Sequence, residues 1–332
     1  MQKAAIEKLF ERFHQLTVLV IGDVMLDSYI WGTVDRISPE APVPIVNVKK
    51  RENRLGGAAN VARNIAALGG IPVLAATIGT DIEATLFTAL LEEENLPVKG
   101  IMTCERATTV KTRIIGNNHQ LLRVDAEDSS LLDVETAAAF EAHVLKLING
   151  TSIDAIIFED YDKGLINEQL IEKVVQLALQ KKIPVAVDPK KRNFNFYKNV
   201  TLFKPNLKEM REGLKIEIPT KDIAAVHAAD VQLRGQLQHQ ISLITLSENG
   251  VYVSETETHQ HFTAHVRSIT DVSGAGDTVI AAATLCLAAQ TSTSFMAQLA
   301  NLAGGIVCEK VGVVPIDAAV LKTEALKLLA ND

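Results

Sequence analysis

Thr17-Val18-Leu19-Val20-Ile21-Gly22 (TVLVIG) is a short run of β-branched and apolar residues that stops at glycine. Nothing in it alternates between polar and apolar. The strand it forms must therefore be covered on both faces, as in a parallel sheet packed between helices. Runs of the same kind recur at Ile71–Ile78, Ile153–Phe158, Ile183–Val187, Val200–Phe203 and Ile241–Leu246. Patterns of helical period separate several of them, at Asn60–Leu68, Thr85–Glu94, Glu168–Gln180 and Ala224–Leu237. Alternation of this kind builds βαβ units and predicts an α/β chain with helices on both faces of a mainly parallel sheet. After about Ser268 the pattern turns largely helical, through Asp277–Ala289 and Ser294–Glu309.

Two segments break the rhythm. Trp31–Arg54 holds Pro39, Pro42 and Pro44 and then an alternating stretch, IVNVKKREN. Thr108–Asp125 alternates again, with Gly116-Asn117-Asn118 as the turn of a hairpin. Both read as antiparallel strands set apart from the parallel core, a small β lid made of two insertions in a single domain spanning residues 1–332. Apolar Ile45, Val46 and Val48 in one insertion, and Ile114, Ile115 and Leu121 in the other, supply a face that a second copy would cover.

The 332 residues suffice for a large core, and 22% charged against 47% apolar is globular composition. A net charge of −7 argues against a broad nucleic-acid surface. Cys104, Cys286 and Cys308 lie far apart with no metal-ligand spacing, which fits a reducing, cytoplasmic compartment. Met1–Gln15 is charged and helix-like, without the apolar stretch of a signal peptide, and no apolar run reaches the roughly 18 residues of a membrane span. His259, His261 and His265 alternate in an exposed strand pattern and read as surface residues.

Asp271-Val272-Ser273-Gly274-Ala275-Gly276-Asp277-Thr278 runs into the apolar helix VIAAATLCLAA. Small side chains leave the N–H groups of Gly274, Ala275 and Gly276 bare at a helix N-terminus, which favours an anion. Asp277, in the first turn, is placed to accept the proton of a hydroxyl while those donors hold a phosphoryl group in transfer. A tight turn followed by a capping carboxylate would look the same, and GxxxxGK[ST] is absent.

The segment DVSGAGDTVIAAATL resembles the second signature of the ribokinase-like (PfkB) carbohydrate kinases, and Gly56-Gly57-Ala58-Ala59-Asn60-Val61-Ala62 with Ala67-Leu68-Gly69-Gly70 resembles the first, about 220 residues earlier. Gly22–Asp27, Arg36–Pro44 (RISPEAPVP), Asp160–Gly164 (DYDKG) and Val187–Lys190 resemble in particular the kinase domain of the heptose 7-phosphate kinases. Glu159 stands where that family more often carries serine. The resemblance implies a ribokinase-like three-layer α/β/α fold, ATP and Mg²⁺, and phosphorylation of the C1 hydroxyl of a heptose phosphate on the way to nucleotide-activated heptose and lipopolysaccharide. A kinase alone is implied, without a cytidylyltransferase. It leaves open a monovalent cation such as K⁺. It also implies a homodimer joined through the lids.

Carried onto this chain, the resemblance makes Asp277 the base and Gly274–Gly276 the anion hole. For ATP it implies Asn206 and Glu209, of an NxxE motif, with Glu209 facing Mg²⁺ through water; a capping box would use the same two residues. Thr245, Ser247 and Gly250 follow a strand end where nucleotides bind, and Lys190 is a phosphate partner or a solvated lysine. Asp23, Asp27, Gly56, Gly57 and Asn60 fall to the sugar. A substrate phosphate needs cations, for which Lys111, Arg113, Arg123 and Lys163 are candidates. Rival readings are another sugar or nucleoside kinase of the family, or a sugar-phosphate sensor without activity.

Overall fold

The computed structural model describes residues 1–256 and 258–330. In chain order the elements are α1 (Lys3–Phe13), β1 (Thr17–Gly22), β2 (Val24–Ile37), β3 (Pro44–Gly57), α2 (Ala58–Ala67), β4 (Ile71–Ile78), α3 (Ile82–Glu93), β5 (Ile101–Thr103), β6 (Val110–Gly116) and β7 (His119–Ala126). There follow α4 (Val134–Gly150), β8 (Ala155–Glu159), α5 (Glu168–Lys181), β9 (Val185–Asp188), β10 (Leu202–Phe203), α6 (Leu207–Leu214), α7 (Ile223–Leu237) and β11 (Ile241–Thr245). The chain ends with β12 (Val251–Glu255), β13 (Thr258–Phe262), α8 (Ala275–Ala288), α9 (Thr293–Val307) and α10 (Ala318–Leu328).

One sheet has the order β13-β12-β11-β10-β9-β8-β1-β4-β5. It is parallel from β11 to β5, with β12 and β13 added antiparallel at one edge. Successive residues of a strand face opposite sides, and the two cores follow that parity. Val18, Val20, Ala155, Ile157 and Ala186 pack with residues of α1, α2, α3, α8, α9 and α10. Leu19, Ile21, Ile156, Phe158, Val185 and Val187 pack with α4, α5, α6 and α7. This is the three-layer arrangement the strand pattern predicts. β1 has the predicted limits; β10 is shorter than Val200–Phe203 because only Leu202 and Phe203 pair with both neighbours.

The lid is a second sheet, β3-β2-β6-β7. Each insertion is an antiparallel hairpin, but β2 and β6 join them in parallel, which corrects the all-antiparallel expectation. Its strands also begin earlier, at Val24, because Val24–Leu26 and Tyr29 are buried at the root of the lid and read in sequence as core. Asn117 and Asn118 take φ of 51° and 65°, the turn geometry that matches strand twist in a two-residue hairpin. Asn117 also clamps Val34 through its side chain, at 3.2 Å in both directions. Ile114 and Ile115 are adjacent on β6 and point to opposite faces, so Ile115, 7% exposed, leaves the predicted outer apolar set. Trp31 stacks on Tyr29 on the inner side, ring centroids 6.0 Å apart.

Candidate active site

Gly22, Glu159 and Asp188 lie side by side at the carboxyl ends of β1, β8 and β9. Each continues the alternate positions whose side chains face α8, so the three look up at that helix's N-terminus. There Gly274 has φ 79°, a conformation that favours glycine, and an added Cβ would lie 2.9 Å from Asn60 Nδ2. A Cβ on Gly276 would stand 3.6 Å from Asp188 Oδ2 and 3.8 Å from Lys204 Nζ. The helix therefore meets the strand ends through bare backbone. The Ala275 N–H turns back to Val272 O at 3.3 Å, which narrows the predicted anion hole. Gly276 lies in the first turn, where an N–H has no intrahelical acceptor.

Asp277 is 4% exposed. Its Oδ2 accepts from Asn60 Nδ2 at 2.7 Å and its Oδ1 from the Tyr161 hydroxyl at 2.8 Å. Burial pushes its pKa up to about 6, against those two hydrogen bonds, which favour the carboxylate. That is a suitable value for a base working near neutrality. Asn60, read in sequence as a sugar contact, is thus an orienter of Asp277, and its Oδ1 is buried without a partner. Sequence reasoning missed Tyr161 in this part; its only signal was its place in the quoted DYDKG segment.

The strand ends are densely charged. Lys204, 2% exposed, pairs with Asp188 at 2.7 Å, and Lys190 with Glu209 at 2.5 Å and Asp188 at 3.6 Å. Burial works to lower both lysines, but Asp188 and Glu209 outweigh it and hold them above the usual range. Lys190 is therefore ion-paired and not a free solvated cation. Asn206 and Glu209 form a full capping box at the start of α6, with side chain to backbone distances of 2.9 and 2.8 Å. Thr245 bridges to Asn206 across the strand ends, and Ser247 is exposed just beyond it. Gly250, a predicted nucleotide contact, has a structural duty of its own. It is buried with φ 86°, and a Cβ would come within 2.0 Å of Phe262 O, so the glycine serves the turn into β12.

Asp23 also departs from expectation. It is 3% exposed, and its oxygens accept from the N–H groups of Tyr161, Lys163 and Leu165 at 3.0, 3.1 and 3.4 Å. It ties the loop after β8 to β1 instead of presenting open acceptors to a polyol. Burial, with Asp160 beside it, pushes its pKa up to about 6. Asp27 lies on β2 of the lid, ion-paired with Arg113 of β6, and a Cβ on Gly56 would stand 2.1 Å from its Oδ2. Gly57, φ 61°, starts α2 against Asp23 O. The two glycines thus make room for the carboxylate segments as well as for any ligand.

Of the four candidate phosphate cations, Lys111 and Lys163 meet at one acid, Glu127, at 3.8 and 2.8 Å. Arg113 lies over the Tyr29 ring, as does Arg54, which donates to Val311 O and Val313 O. Arg123 pairs with Asp125 at 2.9 Å and stays half exposed, outside this group. Arg106 was missed; it donates to Ser130 O and Lys163 O and lines a cavity of about 10 Å³ with Asp23, Thr108 and Lys163. Among the described residues no three His, Cys, Asp or Glu side chains are grouped to hold a metal ion. His261 bonds Asn249 O at 2.7 Å and His259 stacks on His227. The three cysteines are free. No helix among the described residues is long and apolar enough to cross a membrane.

Residues 15–318 match the model of the pfkB family carbohydrate kinases. The D-beta-D-heptose 7-phosphate kinase of Bordetella bronchiseptica is 40% identical over 95% of this chain and 98% of its own length. The bifunctional protein HldE of Caulobacter sp. (strain K31) is 42% identical over 92% of this chain, which spans only 62% of that protein. Among solved structures, phosphofructokinase-2 from Escherichia coli in complex with potassium superposes with a TM-score of 0.76 at 20% identity, over 95% of this chain and 98% of that one. Arabidopsis thaliana ribokinase complexed with ribose and ATP gives 0.69 at 15% identity, over 92% and 98%.

Proposed function

Since the chain belongs to the pfkB family of carbohydrate kinases, we propose that it transfers the γ-phosphate of ATP to the C1 hydroxyl of D-glycero-β-D-manno-heptose 7-phosphate. The observation that carries the reaction type is Asp277, buried at the first turn of α8 beside the bare backbone of Gly274–Gly276, with a pKa raised to about 6 by burial. The acceptor comes from the likeness to the Bordetella heptose kinase. The product would feed nucleotide-activated heptose for lipopolysaccharide, in the cytoplasm.

In this reading the sugar hydroxyl displaces Tyr161 or Asn60 from an oxygen of Asp277 and gives up its proton there. The hydroxyl oxygen then attacks the γ-phosphorus in line, as the bond from that phosphorus to the oxygen it shares with the β-phosphate breaks and ADP leaves. Gly276 N–H, the α8 dipole, Lys190 and Lys204 stabilise the charge on the transferring group. Thr245 and Ser247 flank the nucleotide. Mg²⁺, when bound, neutralises the phosphates; Glu209, whose oxygens already serve Asn206 and Lys190, fits it only through water. Asp27 and Arg113 meet the sugar, and Lys111 and Lys163 exchange Glu127 for the substrate phosphate. A panel of acceptors with ATP, in K⁺ and in Na⁺, tests the reading by ADP release and phosphorus NMR of the product. Turnover of free sugars or nucleosides in preference to the heptose phosphate would replace the substrate and keep the kinase.

The same reading includes a dimer through the lids. Leu121, Leu122, Val124 and Val48 are 41, 53, 49 and 47% exposed, and Ile114 lies opposite Leu122 in register. Covering this face with a twofold copy buries it. Light scattering at micromolar concentration should give twice the chain's 36.0 kDa mass, falling to the single mass in Leu122→Asp.

A further inference from the structure

At the strand ends the proposed transfer gives Glu159 no role. It is 1% exposed, and neither carboxyl oxygen has a hydrogen-bond partner. Its position is set by register, between Gly22 of β1 and Asp188 of β9. Gly22 leaves it room, since a Cβ there would sit 2.9 Å from the Glu159 Cβ. The parity of β8 turns it toward α8, the side on which Asp277 and Gly276 lie.

The neighbours are all committed. The charged groups around Glu159 are Asp188, Asp277, Lys190 and Lys204. Lys204 holds Asp188, Lys190 holds Glu209, and Asp277 is held by Asn60 and Tyr161. Four carboxyl groups thus face two lysines before any phosphate arrives, and burial, with Asp188 and Asp277 beside it, holds Glu159 well above the usual carboxylate range, so that an added cation is what would favour its ionised form. A triphosphate laid over this end adds more negative charge, and among the described residues Lys190 and Lys204 are the cations that act on Glu159. Buried polar groups in folded proteins have partners, and one that lacks them calls for a ligand or ion.

We propose that Glu159 is a carboxylate for the divalent cation that accompanies ATP, held through coordinated water. Mg²⁺ suits such a place, because it keeps several waters and takes one or two protein carboxylates beside substrate phosphates, with no cage of its own. The inference rests on the ATP-dependent reading above.

The test uses the full chain, Mn²⁺ as a spin probe and a non-hydrolysable ATP analogue. Wild type is compared with Glu159→Gln, which keeps the size and shape of the side chain but cannot supply a carboxylate, and with Glu159→Ser. Mn²⁺ in the ternary complex should bind about tenfold more weakly in both variants, the scale of losing a partner that orients a metal's ligand shell. Affinity for the analogue without metal should be unchanged or tighter, and melting temperatures should not fall. Wild-type Mn²⁺ affinity in Glu159→Gln would overturn the proposal and make Glu159 a neutral hydrogen-bonding group. If Gln fails to fold, wild-type affinity in Glu159→Ser overturns it equally. Failure of the wild-type chain to bind the analogue at all would overturn the ATP reading itself, and this inference with it.

Discussion

The strand ends and the inner face of the lid are both rich in paired charges, but they hold them in different media. At the strand ends Asp188, Lys204, Glu209 and Asp277 are 2 to 8% exposed. On the lid the side chains of Arg113, Lys111, Asp125 and Arg123 are 12, 17, 24 and 51% exposed. Coulomb energies and desolvation costs both grow as water is excluded, so each group at the strand ends is committed to one geometry. Partly wetted pairs on the lid exchange partners at small cost. In the proposed reaction the first region would do the chemistry, and the second would admit and release a charged substrate.

Removing the base breaks the comparison hardest. Asp277→Asn should lower kcat about a thousandfold, within the range for general bases, and leave the ATP KM within about twofold. Retention of a tenth of the wild-type rate would make Asp277 a capping residue. Next comes Lys204→Met, which leaves buried Asp188 with only its longer contact to Lys190, at 3.6 Å. Loss of one partner of a buried pair costs about 3–5 kcal/mol, readable as a lower urea midpoint. A midpoint within error of wild type would show that water reaches Asp188.

The pH profile sharpens the contrast. Asp277 must be ionised to accept a proton and has its pKa raised to about 6. Activity should therefore hold above pH 7 and fall about tenfold per unit below pH 6, with no matching loss of ATP binding. Smallest are the lid changes. Arg113→Ala should raise the sugar-phosphate KM about tenfold, since Arg113 holds Asp27. Arg123→Ala, on the wetted side, should change it less than about twofold. Equal effects from the two arginines would place Arg123 in the pocket.

The parallel core was legible because fully covered strands such as TVLVIG carry an unbroken apolar signature, and the asparagine turn because two residues of positive φ demand it. The lid's root was not, since Val24–Tyr29 serves lid and core together and shows only the core's signal. Contacts around the base were hidden for another reason. Asn60 and Tyr161 reach Asp277 across 217 and 116 residues, and no spacing rule reports pairs that only tertiary packing creates. Asp23 and Gly250 looked like ligand contacts because an acid or a glycine after a strand suits a ligand and a backbone turn equally well.

The lid's attachment has a mechanical consequence. β2 and β3 are 14 residues each, roughly 46 Å of continuous strand, and run from buried Leu26 and Leu55 to exposed Ile37. A single residue, Asp23, separates β2 from β1, so the root has no slack loop to swivel on. Moving the tip toward the core must flex a beam clamped at one end, and the irregular registers at Trp31/Gly32 and Val34/Arg36 are where it is softest. Were a substrate to hold such a beam down, it would store elastic strain and recoil unaided when the product let go.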